Sequence, residues 1–173
     1  ATGQQAGARF GAAVAGQGDV NKDGAADMVV GAPGFGIPGF SDSGAIFAFH
    51  GASPAPKTEA STVLSSPGTP GTVRRLGASV ALGDFNGDGY ADLVAGYETG
   101  GSASVYLGSC QGLIPTNVLR GSRAERLASP NGIKPLVAGL GKAVAAGGDF
   151  NGDGFAELLF RRTEGINTKV GLN

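Results

Sequence analysis

Three segments, DVNKDGAAD at residues 19–27, DFNGDGYAD at 84–92 and DFNGDGFAE at 149–157, place an acid, an amide and an acid at every second position. A glycine follows, and then a further acidic group. When a backbone carrying this pattern curls tightly, the side-chain oxygens at positions one, three and five converge, and glycine at position six permits the curl because it has no Cβ. Position seven can offer a backbone carbonyl, and position nine another carboxylate. An all-oxygen cage of roughly seven flexible ligands suits a hard cation, and calcium rather than magnesium. The candidate ligands are Asp19, Asn21, Asp23, the carbonyl of Ala25 and Asp27; Asp84, Asn86, Asp88, the carbonyl of Tyr90 and Asp92; and Asp149, Asn151, Asp153, the carbonyl of Phe155 and Glu157. About three Ca²⁺ ions are expected. Glu157 is one methylene longer than its counterparts, so the third site is expected to differ in geometry or affinity.

An EF-hand loop begins in the same way but needs a bidentate glutamate at position twelve. Here that position holds Val30, Ala95 and Phe160, inside apolar strand-like runs. Asp, Asn and Gly are also ordinary turn formers, yet three copies with common spacing and common flanks argue for more than turns. Nine of the 14 acidic residues sit in these loops, three in each. Carboxylates so close repel one another unless a cation neutralises them. Three divalent ions would add six positive charges to a net charge of −1, and the metal-free chain is expected to be less stable.

The elements that must hold such loops read as strands. With 33 glycines and 9 prolines in 173 residues, long helices have little room. Short apolar runs (DMVVGA, AIFAFH, DLVAG, ASVYLG, ELLF) are each bounded by glycine, proline, serine or aspartate. That pattern predicts an all-β fold with many tight turns. A hydrophobic content of 41% is enough for one domain with a moderate core. No run approaches the roughly 20 apolar residues of a membrane-spanning helix, so no membrane insertion is expected, and no export signal is visible at the start. The lone Cys110 has no internal disulfide partner.

The acidic loops recur every 65 residues, and their flanks recur with them. Upstream lie FGAAVAGQGD, LGASVALGD and LGKAVAAGGD; downstream lie ADMVVGAP, ADLVAGYE and AELLFRRT; farther on come GAIFAFHG, SASVYLGS and NTKVGLN. Each repeat therefore runs apolar-Gly strand, acidic loop, strand, turn, strand, with STVL and TNVL as candidate fourth, outer strands. Connections vary in length while the packed parts do not. Four short antiparallel strands per repeat make a propeller blade. The approximate repeats are 1–66, 67–130 and 131–173, the last truncated, within a single segment 1–173.

These segments resemble FG-GAP repeats, the units of integrin α-subunit β-propellers and of many bacterial surface and secreted proteins. Repeat one carries the whole pattern in Phe10-Gly11, the loop Asp19 to Asp27, and Gly31-Ala32-Pro33. Repeats two and three keep Leu76-Gly77 and Leu140-Gly141 and the loops, but Gly96-Tyr97-Glu98 and Arg161-Arg162-Thr163 replace Gly-Ala-Pro. VYLGSCQGL resembles a strand-end signature of bacterial members. The resemblance implies a β-propeller whose calcium loops stiffen a platform for binding proteins or, in some members, carbohydrate, with a minority attached to enzymes.

Closed propellers generally need four to eight blades, and this chain holds three acidic loops. An incomplete propeller of about three blades would be completed by a longer parent chain, by self-association or by a different chain. Phe10, Phe47, Phe49, Phe85 and Phe150 fall on strand or loop-anchor positions and are expected to pack between blades. No catalytic residue is assigned. His50 is the only histidine, no G-x-S-x-G elbow is present, and one histidine with one cysteine is too few for a typical zinc site. Basic clusters at Arg74-Arg75, Arg120, Arg123, Arg126 and Arg161-Arg162 read as a solvated surface or as an attraction for anionic glycans and acidic partners. An aromatic content of 7% with no recognition motif argues against nucleic acid. Weak extracellular-type calcium affinity implies a secreted or cell-surface location. The expected role is a non-catalytic adhesion or recognition module with a protein or glycan ligand. A carbohydrate-binding lectin and an accessory domain of a secreted enzyme are the alternatives.

Overall fold

In a computed structural model, described for residues 5–52, 58–65, 73–99, 102–114, 143–146, 148–160 and 169–171, the regular elements are all strands. The first sheet holds β1 (Ala13–Gly18), β2 (Asp27–Ala32), β3 (Ala45–Phe49) and β4 (Thr62–Ser65). The second holds β5 (Leu76–Gly83), β6 (Asp92–Tyr97) and β7 (Ala103–Tyr106), and the third β8 (Val144–Ala146), β9 (Glu157–Phe160) and β10 (Lys169–Gly171). Every sheet is an antiparallel meander in chain order. The fold is all-β, consistent with partial propeller blades. STVL supplies the fourth strand β4 as expected, whereas TNVL lies outside the described residues.

Strand alternation sends neighbouring side chains to opposite faces, and the second sheet uses both. Leu76, Val80, Leu93, Ala95 and Tyr106 pack with Val29, Ile46, Ala48 and Leu64 of the first sheet. From the other face Val94 and Val105, with Phe85 of the acidic loop, pack towards Val144, Ala146 and Leu158 of the third. The first two sheets approach backbone to backbone: Gly77 has φ +88, and a Cβ on Gly31 would overlap the Gly77 carbonyl. The glycine of the Gly-Ala-Pro segment therefore permits sheet packing, an independent task from the loop glycines.

Of the five phenylalanines expected between blades, Phe85 is the one that packs between two of the described sheets, fully buried between the second and third. Phe10 stacks edge-on against Phe47 and Phe49 on the opposite, outward face of the first sheet, where Phe35 joins Phe47. Phe150, equivalent to Phe85 by spacing, is 64% exposed. The same face of the first sheet leaves Val14 58% and Met28 42% exposed, although their repeat equivalents Val80 and Leu93 are buried beneath the first sheet. Periodicity identifies which residues point out of a sheet, but only the placement of a neighbouring sheet decides whether they are covered.

Candidate metal loops

Each acidic loop connects the first strand of a sheet to its second, joining β1 to β2, β5 to β6 and β8 to β9. Glycine at position six takes the left-handed conformation in all three, with φ of 86° at Gly24, 83° at Gly89 and 90° at Gly154. The curl turns backbone N–H groups inward onto the acidic side chains. Asp19 accepts from the N–H groups of Asp23 and Gly24 at 3.1 and 2.8 Å. Asp84 accepts from Gly87 and Gly89 at 2.7 and 2.8 Å, and Asp149 from Gly152, Asp153 and Gly154 at 2.6, 3.0 and 2.7 Å.

Positions three and five are drawn together in the same way each time. The amides of Asn21, Asn86 and Asn151 donate to Asp23, Asp88 and Asp153 at 3.0, 2.9 and 2.7 Å. The second carboxylate oxygens of those aspartates accept from the N–H groups of Ala25, Tyr90 and Phe155 at position seven. Hydrogen bonding, led by the Gly154 N–H, holds the Asp149 carboxyl below the usual range and so favours its charged form.

Position nine behaves differently. Asp27 is buried, and its two oxygens accept from the N–H groups of Val20 and Gly51, both at 2.7 Å. Asp92, also buried, accepts from Phe85 at 3.0 Å and Gly108 at 2.8 Å. Each carboxylate thus ties the start of its loop to the chain leaving the sheet's third strand. Burial pushes the Asp92 carboxyl up to about 6; bonds from Gly108 and Phe85 pull it down, and Asp88 and Asp84 add to the rise. Composition and spacing did not reveal this tie. Its trace was the glycine after the third strand in AIFAFHG and ASVYLG, because a side chain at Gly51 or Gly108 would overlap the carbonyl of Ala26 or Ala91.

In the third loop the longer Glu157 accepts from the Phe150 N–H and also joins the two other acids. Carboxylate oxygens of Asp149, Asp153 and Glu157 all lie within 4.8 Å of one another. Oxygens bound to one calcium at about 2.3–2.6 Å stand no farther apart than about 5 Å, so this donor set fits such an ion. In the other two loops positions one, three and five make the matching hydrogen bonds, while Asp27 and Asp92 at position nine are held by backbone N–H groups as ties.

Residues considered for other roles are placed elsewhere. The His50 ring lies against the first loop, with Nδ1 3.5 Å from the Asn21 amide nitrogen. Arg75 pairs with Asp42 and Glu98 at 3.2 and 3.4 Å, and Arg74 stands over the Tyr97 ring. Within that cluster Arg75 is paired with carboxylates, whereas Arg74 makes a ring contact. Arg120, Arg123, Arg126, Arg161 and Arg162 lie outside the described residues.

Comparison with known proteins agrees with this geometry. A family model described as FG-GAP repeat matches residues 10–49 and 76–108, which include the first two acidic loops and their strands. Integrin alpha-PS3 of Drosophila melanogaster is 33% identical over 162 residues, covering 90% of this chain and 14% of the integrin. Phosphatidylinositol-glycan-specific phospholipase D of Rattus norvegicus is 35% identical over 153 residues, 82% of this chain and 17% of that protein. Integrin alpha-IIb of Homo sapiens is 36% identical over 105 residues, 61% of this chain and 10% of the integrin. The chain thus spans about a seventh of the length of such relatives. With meander sheets in series, an acidic curl at the same place in each and a repeat model matched on two of them, the chain belongs to the FG-GAP repeat family, integrin-like in sequence.

Proposed function

We propose that this chain is a calcium-stabilised β-propeller segment that serves as a non-catalytic recognition or adhesion module outside the cell, with a protein or glycan as ligand. The observation that carries the reading is the threefold recurrence of one curl, in which the position-one carboxylate accepts from the position-six glycine and the position-three amide donates to position five, with three carboxylates within 4.8 Å of one another in the third loop. Asp19, Asn21 and Asp23, Asp84, Asn86 and Asp88, and Asp149, Asn151, Asp153 and Glu157 would hold the ions, with the carbonyls of Ala25, Tyr90 and Phe155. Asp27 and Asp92 would close their sites from beneath. A bound ion supplies charge neutralisation and rigidity at the loop; the chain's own ties carry that rigidity into the sheets.

Extracellular calcium modules bind at roughly 10⁻⁴–10⁻³ M, which matches a secreted or cell-surface location. At a free ion level tenfold above dissociation, each site adds about 1.4 kcal/mol by mass action. Melting the chain in millimolar CaCl₂ and again in excess EDTA tests this. A drop of several degrees in EDTA, restored by calcium and not by magnesium, is expected; an unchanged Tm, with no heat of calcium binding by calorimetry, refutes it.

The outward face bearing Val14, Met28 and Phe47 is proposed to take a further blade of the same repeat type, as the second sheet takes the first. Solution mass in calcium buffer separates a second copy from another stretch of a longer polypeptide. The repeat limits 1–66, 67–130 and 131–173 belong to this proposal. The second reading, an accessory segment of a secreted enzyme, draws support from the match to a phospholipase D over 82% of this chain. A catalytic module in the same polypeptide would favour it.

A further inference from the structure

Position four of every acidic loop has left-handed backbone, with φ of 59° at Lys22, 75° at Gly87 and 76° at Gly152. Glycine adopts this freely, whereas a residue with a Cβ is strained there. Strain kept at one position of a repeated loop is a reason to ask what the side chain does. Lys22 reaches out of its own loop: its Nζ donates to the Asp88 carbonyl at 3.2 Å and lies 5.1 Å from the centre of the Tyr90 ring. Both belong to the second loop, at positions five and seven.

The next junction has the same connectivity with different residues. Gly87, at position four of the second loop, faces Phe155 at position seven of the third, and a Cβ there would lie 2.6 Å from the ring. Beneath both contacts runs one conserved backbone bond pattern within the chain. The Ala91 N–H donates to the Asp19 carbonyl at 2.9 Å, and the Ala156 N–H to the Asp84 carbonyl at 2.7 Å. Each donor sits at position eight, between the candidate ligands at positions seven and nine, and each acceptor belongs to the candidate ligand at position one of the preceding loop.

We propose that the three acidic loops take up cations as a coupled series, with Lys22 a positioning residue for the second loop rather than a ligand of the first. An ion that orders Asp19 fixes the carbonyl holding Ala91, and so the neighbouring Tyr90 carbonyl and Asp92. By linkage the effect runs equally in the other direction. The proposal rests on the calcium reading of the loops, and its test separates the two.

Tyrosine occupies position seven in the second loop alone, Ala25 and Phe155 standing there in the others. Terbium(III) in place of calcium, excited through tyrosine, therefore reports the second loop, and Tyr90→Phe assigns the signal. Titrations of the whole chain are run at high salt, where charge interactions between loops are screened. Lys22→Gly changes no candidate ligand and installs the residue that this backbone favours, so folding is preserved; near-ultraviolet dichroism from buried Tyr97 and Tyr106 checks it. Terbium affinity at the second loop should fall about fivefold, the lower end of ordinary coupling between sites, and at least as far in Asp19→Asn combined with Asp23→Asn. Charge alone predicts the opposite for Lys22→Gly, since a cation beside the loop has been removed. Unchanged or raised affinity in Lys22→Gly overturns the proposal while leaving the loops as cation sites. Absence of Tyr90-sensitised emission in the unmodified chain overturns the calcium reading and the coupling together.

Discussion

Replacing Asp92 by alanine separates the structural tie from the metal site. Asp92 is fully buried, and its oxygens accept from the N–H groups of Phe85 and Gly108. Alanine leaves both donors buried without their acceptor, at about 1–3 kcal/mol each, so a loss of about 2–6 kcal/mol is expected. That is a large part of the roughly 5–15 kcal/mol that holds a domain folded. Asparagine can still accept one of the two bonds, so Asp92→Asn should fall about halfway. Asp88, in the same loop but exposed, accepts from Asn86 and Tyr90 at the surface; Asp88→Ala should cost less than about 1 kcal/mol. The measurement is urea unfolding of the three variants in EDTA, where no ion contributes. Calcium should then stabilise the unmodified chain more than Asp88→Ala. If Asp92→Ala in EDTA is no less stable than Asp88→Ala, the carboxylate does not tie the loop to the sheet and the reasoning fails.

Two further substitutions probe the packing that positions the loops. Gly31→Ala should destabilise by about 1–3 kcal/mol or more, because its Cβ meets the Gly77 carbonyl and the first two sheets must separate; thermal melting in calcium would detect it, and a neutral result would mean the sheets are not in backbone contact. Tyr97→Phe removes the hydroxyl that lies 2.9 Å from buried Ser104 Oγ. It should cost about 1–2 kcal/mol by leaving Ser104 with a lost partner, whereas Tyr97→Phe combined with Ser104→Ala should recover part of that loss in a double-mutant cycle.

Much was legible in the order of residues because the decisive signals are local. Alternating apolar runs between glycines specify strands, and D-x-N-x-D-G specifies a curl, since position six must take a positive φ that only glycine adopts without strain; Gly24, Gly89 and Gly154 do so. The spacing also located STVL as β4. Other features depend on contacts between distant segments and have no local signature. Asp27 and Asp92 look like any loop acid until Gly51 and Gly108 are brought beneath them. Phe85 and Phe150 occupy the same position in the same motif, yet one is buried under the third sheet and the other exposed. Lys22 reads as a variable residue until the second loop lies within its reach. Sequence determined the strands, the curls and which oxygen-bearing side chains stand in them, because backbone stereochemistry and side-chain chemistry act within a few residues. Tertiary structure alone decided which carboxylates are ties, which apolar faces are covered and which loops touch, because burial is a property of neighbours that the chain brings from far away.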